Sequence, residues 1–381
     1  MDRRVFRAPT WRVGAIREKP SFYEFFAGGG MARAGLGPGW TCLFANDVDA
    51  KKSRAYAENW GAGELTLGDV GRLTCADLPG RPDLVWGSFP CQDLSLAGAG
   101  AGLAGARSGA FHPFWGLVEG LVAEGRAPKL IAIENVVGTL TAHGGGDFAA
   151  ICRRFAAAGY LWGGLIVDAA LFTPQSRPRL FVIGVRADLP VDPALVTSQP
   201  LATFHPPALR RACEGGLWWR LPPPPRRTLA FADVIEDAGW DPPAKTARLL
   251  ALMSPLNLAK VETARRGGRR IVGSLYRRTR NGVQRAEVRF DDIAGCLRTP
   301  AGGSSRLTIL MVEGERVASR LISARETARL MGLDDSYRLP RAYSEAYHLT
   351  GDGVAVPVVR HLAAHLFEPL LGLGTAARAA A

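Results

Sequence analysis

Four short segments carry residue types that chemistry needs, each next to an apolar run of strand length. Cys91 stands in Gly87-Ser88-Phe89-Pro90-Cys91-Gln92, just after the run 83–86. A lone cysteine is ordinarily buried and inert, but one in a proline-bounded loop past a strand end lies where α/β folds place reactive groups. As a thiolate it would be a nucleophile. Glu134, in Glu134-Asn135-Val136, follows the run 130–133. A carboxyl at the edge of such a low-dielectric site tends to stay protonated and can then donate a proton. Gln175-Ser176-Arg177-Pro178-Arg179 precedes the run 180–185, and its two arginines suit phosphate or base contacts. Phe26-Ala27-Gly28-Gly29-Gly30 links a strand to a helix, where glycines let the backbone approach a ligand and leave helix N–H groups for an anionic group. Asp47, seventeen residues past Gly30, ends the next strand, where an acid commonly accepts two ribose hydroxyls. Asp69 would end the strand after that. With no GxGxxG, a single adenosine fits better than a dinucleotide.

The elements that must position these groups are strands at 21–26, 41–45, 83–86, 130–133 and 180–185, with helices at 114–123 and 147–158 among those between them. Such alternation predicts a parallel sheet covered on both faces. From about 188 the texture changes to proline, arginine and tryptophan without sustained period, including four prolines at 222–225. Residues 188–298 therefore read as a separate, irregular, β-leaning domain. Helical pattern returns from Val317, with Ser323 and Glu326 as a capping box. The expected division is 1–187, 188–298, a return segment 299–371 and a tail 372–381.

With 381 residues, 47% hydrophobic and 22% charged, the chain reads as an ordinary globular protein. It has no apolar run long enough to span a membrane and no signal-peptide pattern at its start. Its six cysteines are scattered without a CxxC pair, which argues against structural zinc and against a disulfide scaffold. His361 and His365 lie four apart with no third ligand evident, so no metal is expected. A net charge of +12, with 41 of the 47 bases arginine, fits a polyanionic partner as well as a GC-rich genome.

Taken together and in this order, the motifs resemble the DNA (cytosine-5)-methyltransferase family over nearly the whole chain. Pro90-Cys91-Gln92 is similar to its nucleophile motif, Glu134-Asn135-Val136 to its ENV motif, and Gln175-x-Arg177-x-Arg179 to its QxRxR motif. Arg107–Phe111, 320–332 and Gly351-Asp352-Gly353-Val354 resemble three further motifs, the last completing the cofactor pocket. Three departures stand out: Glu24 for the usual Asp, Asp352 for the usual Asn, and Asp93-Leu94 for Ser-Phe.

The resemblance implies a Rossmann-like α/β fold that uses S-adenosylmethionine, with residues 188–298 as target-recognition domain. Phe26, Ala27, Gly28, Gly30, Asp47, Val48, Asp69, Val70, Pro90, Asp352 and Gly353 would bind the cofactor. Cys91 would add to C6 of a flipped-out cytosine, its pKa lowered by Arg177 or Arg179, while Glu134 protonates N3. The loop 93–107, with four glycines, would close over double-stranded DNA. Gln92, Arg107, Gln175 and a basic cluster would contact that DNA. Residues 260–289 hold ten bases against two acids. Arg265, Arg266, Arg269 and Arg270 would form a loop entering the groove, with Arg277, Arg278 and Arg280 along the backbone. A monomer in the bacterial cytoplasm, at the nucleoid and beside a cognate restriction endonuclease, is the implied setting. The rival readings are a tRNA cytosine-5 methyltransferase, a DNA-binding relative without catalysis and, more distantly, a nicotinamide-dependent oxidoreductase.

Overall fold

The computed structural model describes residues 19–90, 108–280, 282–298 and 306–373. Its centre is a seven-stranded sheet of β1 (Ser21–Phe25), β2 (Thr41–Asp47), β3 (Leu65–Leu67), β4 (Leu84–Gly87), β5 (Leu130–Val136), β6 (Tyr160–Asp168) and β7 (Pro178–Arg186), in the order β3-β2-β1-β4-β5-β7-β6. The first five are parallel, whereas β7 runs antiparallel to both β5 and β6. The sheet is therefore mixed, where the sequence reading predicted a parallel one.

Side chains alternate across each strand and fill two apolar layers. Phe22, Leu84, Trp86, Leu130 and Phe181 face α1 (Met31–Leu36), α2 (Ala50–Trp60) and the C-terminal helices. Tyr23, Phe25, Val85, Ile131 and Val182 face α3 (Phe111–Ala123) and α4 (Gly146–Ala157). The segment after 188 first packs back on this sheet: α5 (Pro207–Ala212) lies against β6, and Trp219 Nε1 donates to Ile183 O at 3.2 Å.

A second, antiparallel sheet has the order β11-β10-β8-β9, from β8 (Ile271–Arg280), β9 (Val283–Arg289), β10 (Thr308–Glu313) and β11 (Arg316–Leu321). It packs on α6 (Pro243–Ala251) and α7 (Pro255–Arg266) through Met253, Val261, Ala264, Leu275, Ala286 and Leu310. Two of its strands lie beyond residue 298, and Arg316–Leu321 is strand where helical pattern was expected to begin. The expected boundary at 298 thus divides the small sheet between β9 and β10.

The chain then returns to the large sheet through α8 (Ala324–Leu330), α9 (Tyr343–Asp352) and α10 (Val356–Leu362). Ser323 caps α8, its hydroxyl accepting from Glu326 N while Glu326 reaches back to Ser323 N. Gly35 of α1 faces Val359 and Val356 O so closely that any side chain there would clash, which is how α10 seats against α1.

Candidate active site

The turn after β1 is built of strained and close-packed positions. Phe26 has φ 58°, unusual for an aromatic residue and typical of backbone held at a functional site. Of its glycines, Gly29 and Gly30 are required by packing: a side chain at Gly29 would strike Tyr337, and one at Gly30 Trp60. Gly28, at φ 56°, faces open space. Ala27 is buried, its N–H donating to Asn46 O.

The helix beyond this turn does not offer its N–H groups to a ligand as the sequence suggested. Glu24, 2% exposed, accepts from Arg33 N in the first turn of α1 at 3.4 Å. Burial pushes its carboxyl up to about 8, against the opposing pull of that N–H and of the Arg33 guanidinium. An internal acid thus holds the place where a dinucleotide's pyrophosphate would sit.

Asp47 closes the turn from β2. Its Oδ2 accepts from Gly28 N and its Oδ1 from Asp49 N, both at 2.8 Å. Burial raises its pKa, opposed by these N–H groups and by Lys52. A carboxylate has about four acceptor sites, so two backbone donors leave capacity for ribose hydroxyls. Beside it, Val48 is 69% exposed, and Leu67 on β3, the register partner of Asp47, is 54% exposed. Two apolar side chains open to water, next to a buried acid and with no phosphate seat, fit an adenosine-bearing cofactor. Asp69 caps the turn after β3 through Gly71 N, while Val70 is buried among the α3 side chains and does not share Val48's exposure.

Asp352, the unusual acid at the end of α9, meets Lys52 Nζ at 2.7 Å. The neighbouring acids Asp47 and Asp49 also hold that ammonium in its charged form. Gly353 packs against Met31 of α1, with no room for a side chain.

At the ends of β4 and β5 lies the second half of the site. Glu134 is within β5, not beyond it; it is 6% exposed, with Oε1 3.1 Å from Arg179 Nε. An ion pair therefore replaces the purely apolar surroundings expected for it. Arg179 stands opposite Val136 in the antiparallel register of β5 and β7, which sets this diagonal contact. Asn135 Nδ2 donates to Phe89 O at 3.2 Å and so ties the segment that leads to Pro90 against β5. Cys91, Gln92, the loop 93–107 and Arg107 lie outside the described residues.

Two expectations for the QxRxR segment need correction. Arg177, expected beside the thiol, is 2% exposed and spends its guanidinium on Leu297 O, Cys296 Sγ, Gly351 O and Gly353 O at 2.7–3.2 Å. It ties β7 to two segments over a hundred residues away. Gln175, expected at the DNA, is fully buried: Nε2 donates to Leu330 O at 2.9 Å and Oε1 accepts from Leu297 N at 3.1 Å.

The basic cluster is also redistributed. Arg265 and Arg266 form the last turn of α7 rather than a loop, and Arg265 is paired with both Glu262 and Glu315. Arg269 and Arg270 are exposed in the short link to β8. Arg277, Arg278 and Arg280 lie within β8, which extends well past Tyr276. Sequence reasoning gave no site role to Lys52, Asn135 or Tyr337, whose hydroxyl donates to Gly29 O at 2.7 Å. The only hint of Lys52 was a cation five residues past Asp47.

Comparison with known proteins agrees with this geometry. Residues 21–368 match the model of the C-5 cytosine-specific DNA methylase family. The chain is 26% identical to the type II methyltransferase M.HpaII of Haemophilus parainfluenzae, over 93% of this chain and 91% of that one. It is also 26% identical to M.BsuFI of Bacillus subtilis, covering 93% and 74%. Among solved structures, the S. pombe Dnmt2 methyltransferase superposes with a TM-score of 0.60 at 18% identity, covering 92% and 99%. A putative DNA modification methyltransferase encoded within an E. coli prophage gives 0.55 at 19%, covering 93% and 99%. The chain belongs to the C-5 cytosine-specific DNA methylase family, which makes it a DNA (cytosine-5)-methyltransferase with S-adenosylmethionine as its cofactor.

Proposed function

We propose that this methyltransferase modifies a cytosine in one specific sequence of double-stranded DNA, with Cys91 as nucleophile and Glu134 as the group that moves the N3 proton. The observation that carries this reading is the meeting of Glu134, Arg179 and the segment before Pro90 at the ends of β4 and β5. Carbon 5 of cytosine is a poor nucleophile until the Cys91 thiolate adds to C6. As it adds, a proton drawn from solvent passes by way of Glu134 to N3 and C5 becomes enamine-like. S-adenosylmethionine, when bound, supplies the methyl group. Water takes the C5 proton as the thiolate departs, which restores the ring, and the N3 proton leaves by way of Glu134. Arg179 keeps Glu134 in place through this cycle. Asp47 would hold the cofactor's ribose, Val48 and Phe26 would flank its adenine, and Lys52 and Asp352 would brace the adjoining wall.

A stacked base is out of reach of any such cleft, so the cytosine is flipped out of the duplex. Relatives named type II methyltransferases support a modification role, in which a restriction endonuclease reading the same sequence is the partner. Methyl transfer to duplex DNA and to tRNA, compared side by side, tests the substrate. Cys91→Ser should abolish transfer while cofactor binding survives, and duplex carrying 5-fluorocytosine should trap the wild type as a covalent adduct. Turnover by the serine variant within tenfold of wild type would refute the covalent route.

A further inference from the structure

Among the described residues, β10 pairs with β8 only over Ile271–Leu275. Beyond Leu275 the β8–β9 hairpin continues as a two-stranded ribbon, with Tyr276 opposite Glu287, Arg278 opposite Arg285, and Arg280 opposite Val283. From Tyr276 to Arg280 it advances roughly 13 Å at 3.3 Å per residue. Arg277, Arg278, Thr279, Val283, Gln284 and Arg285 are all exposed, so most of this arm is wet on both faces.

The two faces differ in what they join. Alternation places Leu275, Arg277 and Thr279 on one side, the side whose base enters the core under α6 and α7. The other side carries Tyr276, Arg278, Arg285 and Glu287. Tyr276 leads inward: its ring packs on Gly295 and its hydroxyl lies 3.5 Å from Cys296 O. Cys296 Sγ is in turn 3.9 Å from Arg179 Nη2, and Arg179 holds Glu134. The Arg278–Arg285 face is therefore continuous with the catalytic cleft.

Like charges directly opposite one another weaken a β pair. Glu287, 3.5 Å from Arg278 Nε, is the single acid of residues 276–287 against four arginines. A ribbon that keeps such a pair facing the cleft is built for an anionic partner. The major groove, about 12 Å wide, admits a two-stranded ribbon, and arginine reads guanine there through O6 and N7. We propose that Arg278 and Arg285 on this ribbon are the base-reading residues for double-stranded DNA, and that the recognised sequence contains a guanine they contact. The 265–270 cluster, by contrast, grips phosphate or braces α7. This rests on the duplex-DNA reading above.

The test is to express the wild type and the variants Arg278→Ala, Arg285→Ala, Arg266→Ala and Arg269→Ala in a host without cytosine methylation and to map 5-methylcytosine across its DNA. The ribbon variants should methylate a sequence degenerate at one guanine position, while the other two keep the wild-type sequence. Unchanged sequence with reduced yield in both ribbon variants, or degeneracy arising instead in the 266 or 269 variant, would overturn the proposal. Should a ribbon variant leave no methylation, the purified protein is compared on target and random duplex, with S-adenosylmethionine binding as the check of folding. A tenfold or greater fall in the target-to-random affinity ratio supports base reading. Equal weakening on both duplexes refutes it. A wild type that methylates tRNA and no DNA would instead remove the substrate reading.

Discussion

The large sheet and the small sheet treat charge in opposite ways. At the ends of the large sheet Glu24, Asp47, Glu134 and Arg177 are all under a tenth exposed, and each makes contacts that fix its position. On the β8–β9 ribbon Arg277, Arg278 and Arg285 are exposed, the last two directly opposed. Chemistry on a base needs donors and acceptors held still before the substrate arrives. Recognition needs side chains that reach for a partner. The contrast is one of preorganisation against reach, within a single polypeptide.

That contrast can be broken most directly at Glu134. Glu134→Gln keeps shape but cannot pass a proton, so turnover should fall by ~10²–10⁴-fold with S-adenosylmethionine affinity unchanged; single-turnover rates and calorimetry measure the two separately. An unchanged rate would take Glu134 out of the mechanism. Next comes Arg177, where Met orphans three buried carbonyls and should lower stability by roughly 3–5 kcal/mol. Chemical denaturation should show that loss, while Arg278→Ala on the ribbon stays within about 0.5 kcal/mol of wild type. Equal effects at the two positions would erase the distinction drawn here.

Asp47→Ala should weaken S-adenosylmethionine by roughly 1.5–3 kcal/mol, because it removes the ribose acceptor and also frees Gly28 N and Asp49 N. Equal affinity by calorimetry would make Asp47 purely structural. The smallest effect concerns Glu24. Its folded carboxyl is raised from 4.5 to about 8, so between those values the folded chain keeps a proton that the unfolded chain releases. Stability from this group is therefore lost as pH rises through that window. Measured against Glu24→Gln, the melting temperature of the wild type should fall progressively from pH 5 to pH 8. A constant difference would mean that Glu24 does not titrate as described.

Much of the large sheet was legible because buried strands write short apolar runs between turn residues. β6 escaped because Gly163 and Gly164 interrupt its run. Those glycines are there for neighbours that the local sequence does not reveal: Leu217 O and Trp219 crowd one, Leu209 and Cys213 the other. The direction of β7 was hidden too, since an apolar run has no sign. Asp47 was legible at a strand end, whereas Glu134 was read as following an apolar run that the strand in fact carries on through. The work of Gln175 and Arg177 was not, because their acceptors lie near 297, 330 and 351–353. A motif names its residues without saying which way they face. In the basic stretch, charge count marked a region but could not separate a helix end tied by Glu262 and Glu315 from a two-stranded ribbon.

Arg177 also bears on the order in which the protein can be made. All seven strands of the large sheet have been synthesised once residue 186 has emerged, yet the carbonyls that receive Arg177 come only with Leu297, Gly351 and Gly353. The α1 face of that sheet likewise waits for Val359, Leu362 and Phe367 to cover it. A nascent chain stopped at 298 would hold Asp47 and Glu134 but would leave a buried cation short of acceptors and an apolar layer bare. Sealing of this end of the sheet is thus a late event in synthesis, because the segments that seal it follow every one of its strands in the chain.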